Sequence, residues 1–167
     1  MRIIDENAKK DIRPYLFQSF LAVLAIFFIL IFLDVLRHAA IIASLGSSAF
    51  LVFTRPRAYA SRPRRLIGGY CIGIMVGVGF HFLSLMPKMV ELPLSMEASY
   101  ILFSALAVGF AILFMVLTST DHAPAAGMAL SMVMNSWETK TVLFVLVAVL
   151  LMALMRHILE PFMIDLI

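Results

Sequence analysis

The stretch TSTDHAPAAGMAL, residues 118–130, decides how the chain is read. It follows twenty residues of almost unbroken hydrocarbon, 98–117, and opens a second apolar run, yet it holds Asp121, His122, Pro124 and Gly127 together. An acid, an imidazole, a proline and a glycine at the mouth of an apolar segment disturb the backbone, and hydrocarbon does not satisfy the N–H and C=O groups so released. Such a break is tolerated only where protein buries it or where it lines a polar cavity. Thr120 or Asp121 is the expected N-cap of the helix that follows. Pro124, which has no N–H, suits its first turn.

The surroundings are hydrocarbon throughout. Of the 167 residues, 63% are hydrophobic and 14% charged, and mean hydropathy is +1.03, whereas a soluble domain carries roughly a quarter charged residues. The composition predicts an integral membrane protein with one transmembrane domain in contact with the lipid bilayer. The net charge of +3 is too small to point to a nucleic-acid partner. Cys71 is the one cysteine, so no disulfide forms within the chain, and it reads as a small packed residue. No P-loop, G-x-S-x-G or G-x-G-x-x-G occurs, nor any metal-ligand spacing of His and Cys. Neither an enzyme nor a bound metal or cofactor is therefore expected.

Working outward, residues 66–85 and 98–117 each have the roughly 20 residues that cross about 30 Å of hydrocarbon as a helix. Residues 16–33 follow Lys9, Lys10 and Arg13 but exceed the h-region of a signal peptide, and they read as an uncleaved first span. Residues 141–155 are shorter and reach both interfaces if Lys140 and Arg156 snorkel from the ends. Four long transmembrane helices are thus expected. Two further pieces, AAIIASLGSSAFLVF at 39–53 and APAAGMALSMVM at 123–134, are short and interrupted by Ser, Gly or Pro. Each lies between two long spans, so the order long, broken, long occurs twice. The expected layout is a cytoplasmic segment at 1–15, a transmembrane domain at 16–159 with halves at about 16–86 and 97–159, and a tail at 160–167. Broken segments at matching places of two halves point to a transporter's binding site.

Charge sets the orientation. The linker TRPRAYASRPRR, residues 54–65, has five arginines and no acid, which the positive-inside rule places in the cytoplasm. Lys88, Glu91 and Glu97 in the linker at 87–97 suit the outside, and Arg156 with His157 places the C-terminus inside. With both termini cytoplasmic the chain crosses six times and the second half is inverted relative to the first. Four spans with two re-entrant loops is the alternative. Gly69, Gly73 and Gly77 recur every four residues on one helix face, where a neighbouring helix packs closely. A chain this short encloses a pathway poorly, and a homo-oligomer is expected.

A helix that starts at membrane depth presents free N–H groups and partial positive charge, which attract an anion. Ser44, Gly46, Ser47 and Ser48 from one broken segment, with Asp121, His122, Pro124 and Gly127 from the other, are the expected frame of a small-anion site between two helix N-termini. Arg64 and Arg65 are placed at its cytoplasmic mouth. His122 is the protonatable member. Asp34, Arg37 and His38 form a second polar cluster, read as an interfacial ion pair.

The stretches SLGSSAFLVFTRPRAYASRPRRLIGGYCIG, from Ser44 to Gly73, and DHAPAAGMAL, from Asp121 to Leu130, resemble the HPP family of integral membrane proteins. The likeness extends over most of the chain and is most specific in S-L-G-S-S, in Pro63 to Gly69, and in the His-x-Pro at His122 to Pro124. Two positions depart from the pattern: Ala123 stands at the middle of the His-Pro-Pro signature, and Tyr70 stands where relatives commonly have histidine. Members are usually described with four membrane spans, and plant-plastid and cyanobacterial relatives are implicated in nitrite transport. The resemblance implies a transporter or channel for a small inorganic anion such as nitrite, in a bacterial inner membrane. A non-conducting membrane scaffold or regulatory subunit is the alternative.

Overall fold

The computed structural model of the chain describes residues 10–32, 39–86, 96–135 and 137–166. Among them are six α-helices and no strand: α1 Arg13–Phe32, α2 Ala39–Thr54, α3 Pro63–Leu85, α4 Met96–Leu117, α5 Ala123–Met134 and α6 Thr139–Leu159. Single 3-10 turns, Tyr59–Ser61 and Glu160–Phe162, flank α3 and follow α6. Leu33 at the end of the expected first span, the Asp34–Arg37–His38 cluster, Lys9, and Lys88 and Glu91 of the outer linker lie outside the described residues.

Three stretches among the described residues are long and apolar enough to cross a membrane: Pro63–Leu85, Glu97–Leu117 and Thr139–Phe162. The expected fourth, carried by the 20 residues of α1, is not among these three. Arg156 also departs from expectation. With 21 residues α6 is longer than the segment at 141–155, so nothing obliges Arg156 to snorkel. It is buried, and its guanidinium donates twice to the Pro56 carbonyl at 2.9 and 2.7 Å and pairs with Glu160 at 2.8 Å.

The two short segments are helices without a break. α2 runs through Ser44, Gly46, Ser47 and Ser48 uninterrupted for 16 residues, so no helix starts there. Its serine hydroxyls are all satisfied without breaking the helix: Ser47 donates to the Ala43 carbonyl at 2.9 Å, and Ser44 and Ser48 bond groups on the neighbouring elements. α5 tolerates Pro124 because the proline falls in its first turn, where a missing N–H costs nothing. The N-cap of α5 is His122, with φ −140° and ψ 101° and no side-chain capping bond, rather than Thr120 or Asp121. Those two side chains are engaged elsewhere: Asp121 with Arg65, and Thr120 with the Thr118 hydroxyl at 2.8 Å.

One end of the bundle gathers a terminus of every helix. Gln18, early in α1, donates to the Phe53 carbonyl at the end of α2 at 2.6 Å and to the Ile164 carbonyl beyond α6 at 2.9 Å. The Leu166 N–H donates to Thr54 at 2.8 Å, and Arg156 holds Pro56. Thr120, just past α4, and His122, at the start of α5, lie against Gly68 and Gly69 at the start of α3. So α1, α3 and α5 begin at this end while α2, α4 and α6 finish there.

The glycine face of α3 packs within the chain. Gly69 meets His122 and Ala125, Gly73 meets the Ala125 carbonyl, and Gly77 meets Ala129 and Met132, so α3 and α5 run side by side in the same direction. A side chain at Gly77 would stand 2.6 Å from the Ala129 carbonyl oxygen, which is why these positions carry none. Small and polar residues face inward, including Ser44, Ser48, His122, Ala125 and Ala129, while Leu16, Met75 and Leu117 are exposed. That partition suits hydrocarbon surroundings.

Candidate functional site

A chain of hydrogen bonds crosses the buried space between α2, α3 and the start of α5. The carbonyl of Ala60, in the basic linker, lies 3.1 Å from His122 Nδ1. A carbonyl only accepts, so Nδ1 carries a hydrogen and the neutral ring presents Nε2 as an acceptor. Nε2 lies 2.8 Å from Ser48 Oγ, Ser48 Oγ 2.8 Å from the Tyr70 hydroxyl, and that hydroxyl 3.0 Å from Ser44 Oγ. Ser44 Oγ is 2.6 Å from the Pro124 carbonyl, to which it can donate. Ser48, Tyr70 and His122 are all at most 1% exposed.

Each position follows from the local fold. Ser44 and Ser48 are one helical turn apart and so share the inner face of α2. Tyr70 follows the glycine pair of α3, and its hydroxyl reaches Ser44 and Ser48 of α2. His122 is held because its Cβ sits against Gly69.

Beside this chain an open groove of about 680 Å³ runs between α2 and α5. Ala40, Ala43, Ser44, Ser47 and Phe50 line one wall, and Ala123, Pro124, Gly127 and Leu130 the other. Ser44 and Pro124 belong both to the groove and to the hydrogen-bonded chain.

The expected site residues therefore separate into groups. Ser44, Ser48, His122 and Pro124 come together. Ser47 and Gly127 lie on the groove and not in the buried chain. Gly46 faces α1, with Ile26 Cδ1 its nearest neighbour, and takes no part. Asp121 forms an ion pair with Arg65. Arg65 is buried, and its guanidinium carbon stands 3.0 Å from the centre of the Tyr59 ring, so its charge is matched by Asp121 and not offered at a mouth. Arg64 is exposed. Tyr70 is the member that residue patterns missed; its departure from the family's histidine was the one signal. The Ala60 carbonyl had none, since any residue supplies that group.

Among known proteins, the family model described as "HPP, transmembrane region" matches residues 7–162. No curated protein matches, and no solved structure matches.

Proposed function

We propose, from the premise that this chain belongs to the HPP transmembrane family, that it moves a small inorganic anion such as nitrite across the membrane along the groove between α2 and α5. The observation that carries this reading is the junction of that groove with the buried polar chain at Ser44 and Pro124. Intramembrane ionisable residues mark ion pathways by default, and His122 is such a residue in a protein that is otherwise apolar. The site has one helix start, that of α5, facing the hydroxyl-bearing flank of α2; it is not a meeting of two helix starts. Exposed Arg55, Arg57, Arg62 and Arg64 provide the positive field at the mouth in place of Arg65.

The alternation of helix directions supports six crossings arranged as an inverted repeat, with α1–α3 and α4–α6 entering from opposite sides. Both ends of the chain then face the cytoplasm with the arginine linker, in a bacterial inner membrane. Among the described residues the groove has walls on α2 and α5, and a second copy of the chain closes it, which makes the working unit a homo-oligomer.

The test is nitrite flux into proteoliposomes, with chloride, nitrate and formate as competitors. Saturable flux is expected, falling about tenfold or more in Ser44→Ala and in His122→Gln, the loss of roughly 1.4 kcal/mol or more of interaction. The groove lining is mostly apolar, which favours a second reading, a non-conducting scaffold that docks another protein there. Flux no greater than in protein-free liposomes for all four anions moves that second reading into first place.

A further inference from the structure

The buried chain is one proton short. It has five contacts: Ala60 to His122, His122 to Ser48, Ser48 to Tyr70, Tyr70 to Ser44, and Ser44 to Pro124. With a neutral imidazole it has four hydrogens to place in them, on Nδ1 and on the three hydroxyls. However these turn, one contact sets an acceptor against an acceptor. Adding a proton at Nε2 removes the conflict. Nε2–H then donates to Ser48, Ser48 to Tyr70, Tyr70 to Ser44 and Ser44 to the Pro124 carbonyl, and each contact holds one hydrogen.

We infer that His122, Ser48, Tyr70 and Ser44 form a proton-binding relay that takes up one proton from the groove and stores it on His122. The step balances without a co-reactant. In the resting arrangement Ser44 donates to Pro124, Tyr70 to Ser48 and Ser48 to Nε2, and the unfilled contact is the 3.0 Å one between Ser44 and Tyr70. A hydronium ion in the groove gives its proton to Ser44 Oγ and leaves as water. One proton passes on from Ser44 Oγ to the Tyr70 oxygen, the hydrogens of Tyr70 and Ser48 each pass one place inward, and an N–H bond forms at Nε2 while Ser44 keeps one hydrogen on Pro124.

Few charges meet this group. α3 presents Tyr70, with Arg65 further back and paired to Asp121. The connector before α5 contributes Asp121 itself, α2 has no titratable residue, and the linker offers the Ala60 carbonyl. Burial of the His122 ring resists the imidazolium. An anion in the groove supplies the missing counter-charge, and by reciprocal linkage a bound proton favours the anion in turn. The relay thus deepens the transport reading, and rests on it for this last consequence: the anion moves with a proton.

Nitrogen-15 NMR of labelled histidine in the purified full chain tests the relay, with His122→Gln assigning the signal among the four histidines. The expected result at high pH is the Nδ1–H tautomer, with uptake of one proton on acidification. Tyr70→Phe keeps the ring but removes the hydroxyl, and is expected to lower the midpoint by about one pH unit, a tenfold weaker proton affinity. Ser48→Ala shifts it in the same direction and guards against misfolding of the first variant. Midpoints unchanged in both, or an Nε2–H tautomer at high pH, overturn the relay. In proteoliposomes, an inward pH gradient is expected to drive nitrite accumulation in the wild type, and less of it in Tyr70→Phe when each is scaled to its own downhill nitrite flux. Accumulation undiminished in Tyr70→Phe overturns the relay and leaves the transport reading intact. The expected titration with no nitrite flux at all supports the relay and removes the transport reading.

Discussion

Arg65 and Asp121 form one ion pair whose halves live in different surroundings, with side chains 4% and 51% exposed. Removing the acid strands a buried guanidinium, whereas removing the arginine leaves a carboxylate that water still reaches. Asp121→Asn is therefore expected to destabilise by about 3 kcal/mol and Arg65→Gln by about 1 kcal/mol, with the double variant below their sum. Thermal unfolding in detergent measures all three, and the reverse ranking of the single variants contradicts the burial argument. Much of this was legible residue by residue: His122, Ser44 and Ser48 stand out as polar groups in hydrocarbon. What was not legible is direction. Ser47 and Ser48 are neighbours in sequence, yet one faces the groove and the other the buried chain, and only the position of α3 decides between them. The pairing of Arg65 with Asp121 joins residues 56 apart, which no local spacing encodes.

At the scale of the element, glycine has two meanings within α3. Gly73 lies against the backbone carbonyl of Ala125, while Gly79 has nothing within 4 Å of where a side chain would begin. Backbone yields less readily than a flexible side chain, so Gly73→Ala is expected to cost about 1–3 kcal/mol by overpacking. Gly79→Ala is expected to be neutral within about 0.5 kcal/mol or slightly stabilising. Unfolding midpoints of the two variants, measured side by side, check this; equal losses contradict the packing account. The G-x-x-x-G spacing announced a close helix contact but not its partner, which is α5 of the same chain. The expected break in α2 failed for a related reason. Serine and glycine are read as interruptions when a segment is considered alone, but a helix surrounded by other helices keeps them as small inward-facing residues.

For the molecule as a whole, what matters is where water goes. Ser47 is exposed on the groove and Ala125 is sealed between α3 and α5. In a Cys71→Ser background, Ser47→Cys is expected to react with a small water-soluble thiol reagent in liposomes and Ala125→Cys to stay silent. Protection of both is the outcome that defeats a hydrated groove. Composition alone made the membrane environment and the helical class legible. The alternation of helices was legible only through the arginine linker, because short apolar segments carry too little signal to establish a crossing by length. The end where all six helices meet also has a bearing on biogenesis. Gln18 enters early with α1, but one acceptor for its buried amide, the Ile164 carbonyl, comes 146 residues later. Until the ribosome has delivered that segment the amide has the Phe53 carbonyl but lacks its second acceptor. The first helix inserted is therefore among the last to become fully bonded, and a nascent chain cut short before residue 164 leaves its amide one hydrogen bond short, a defect that membrane quality control can recognise.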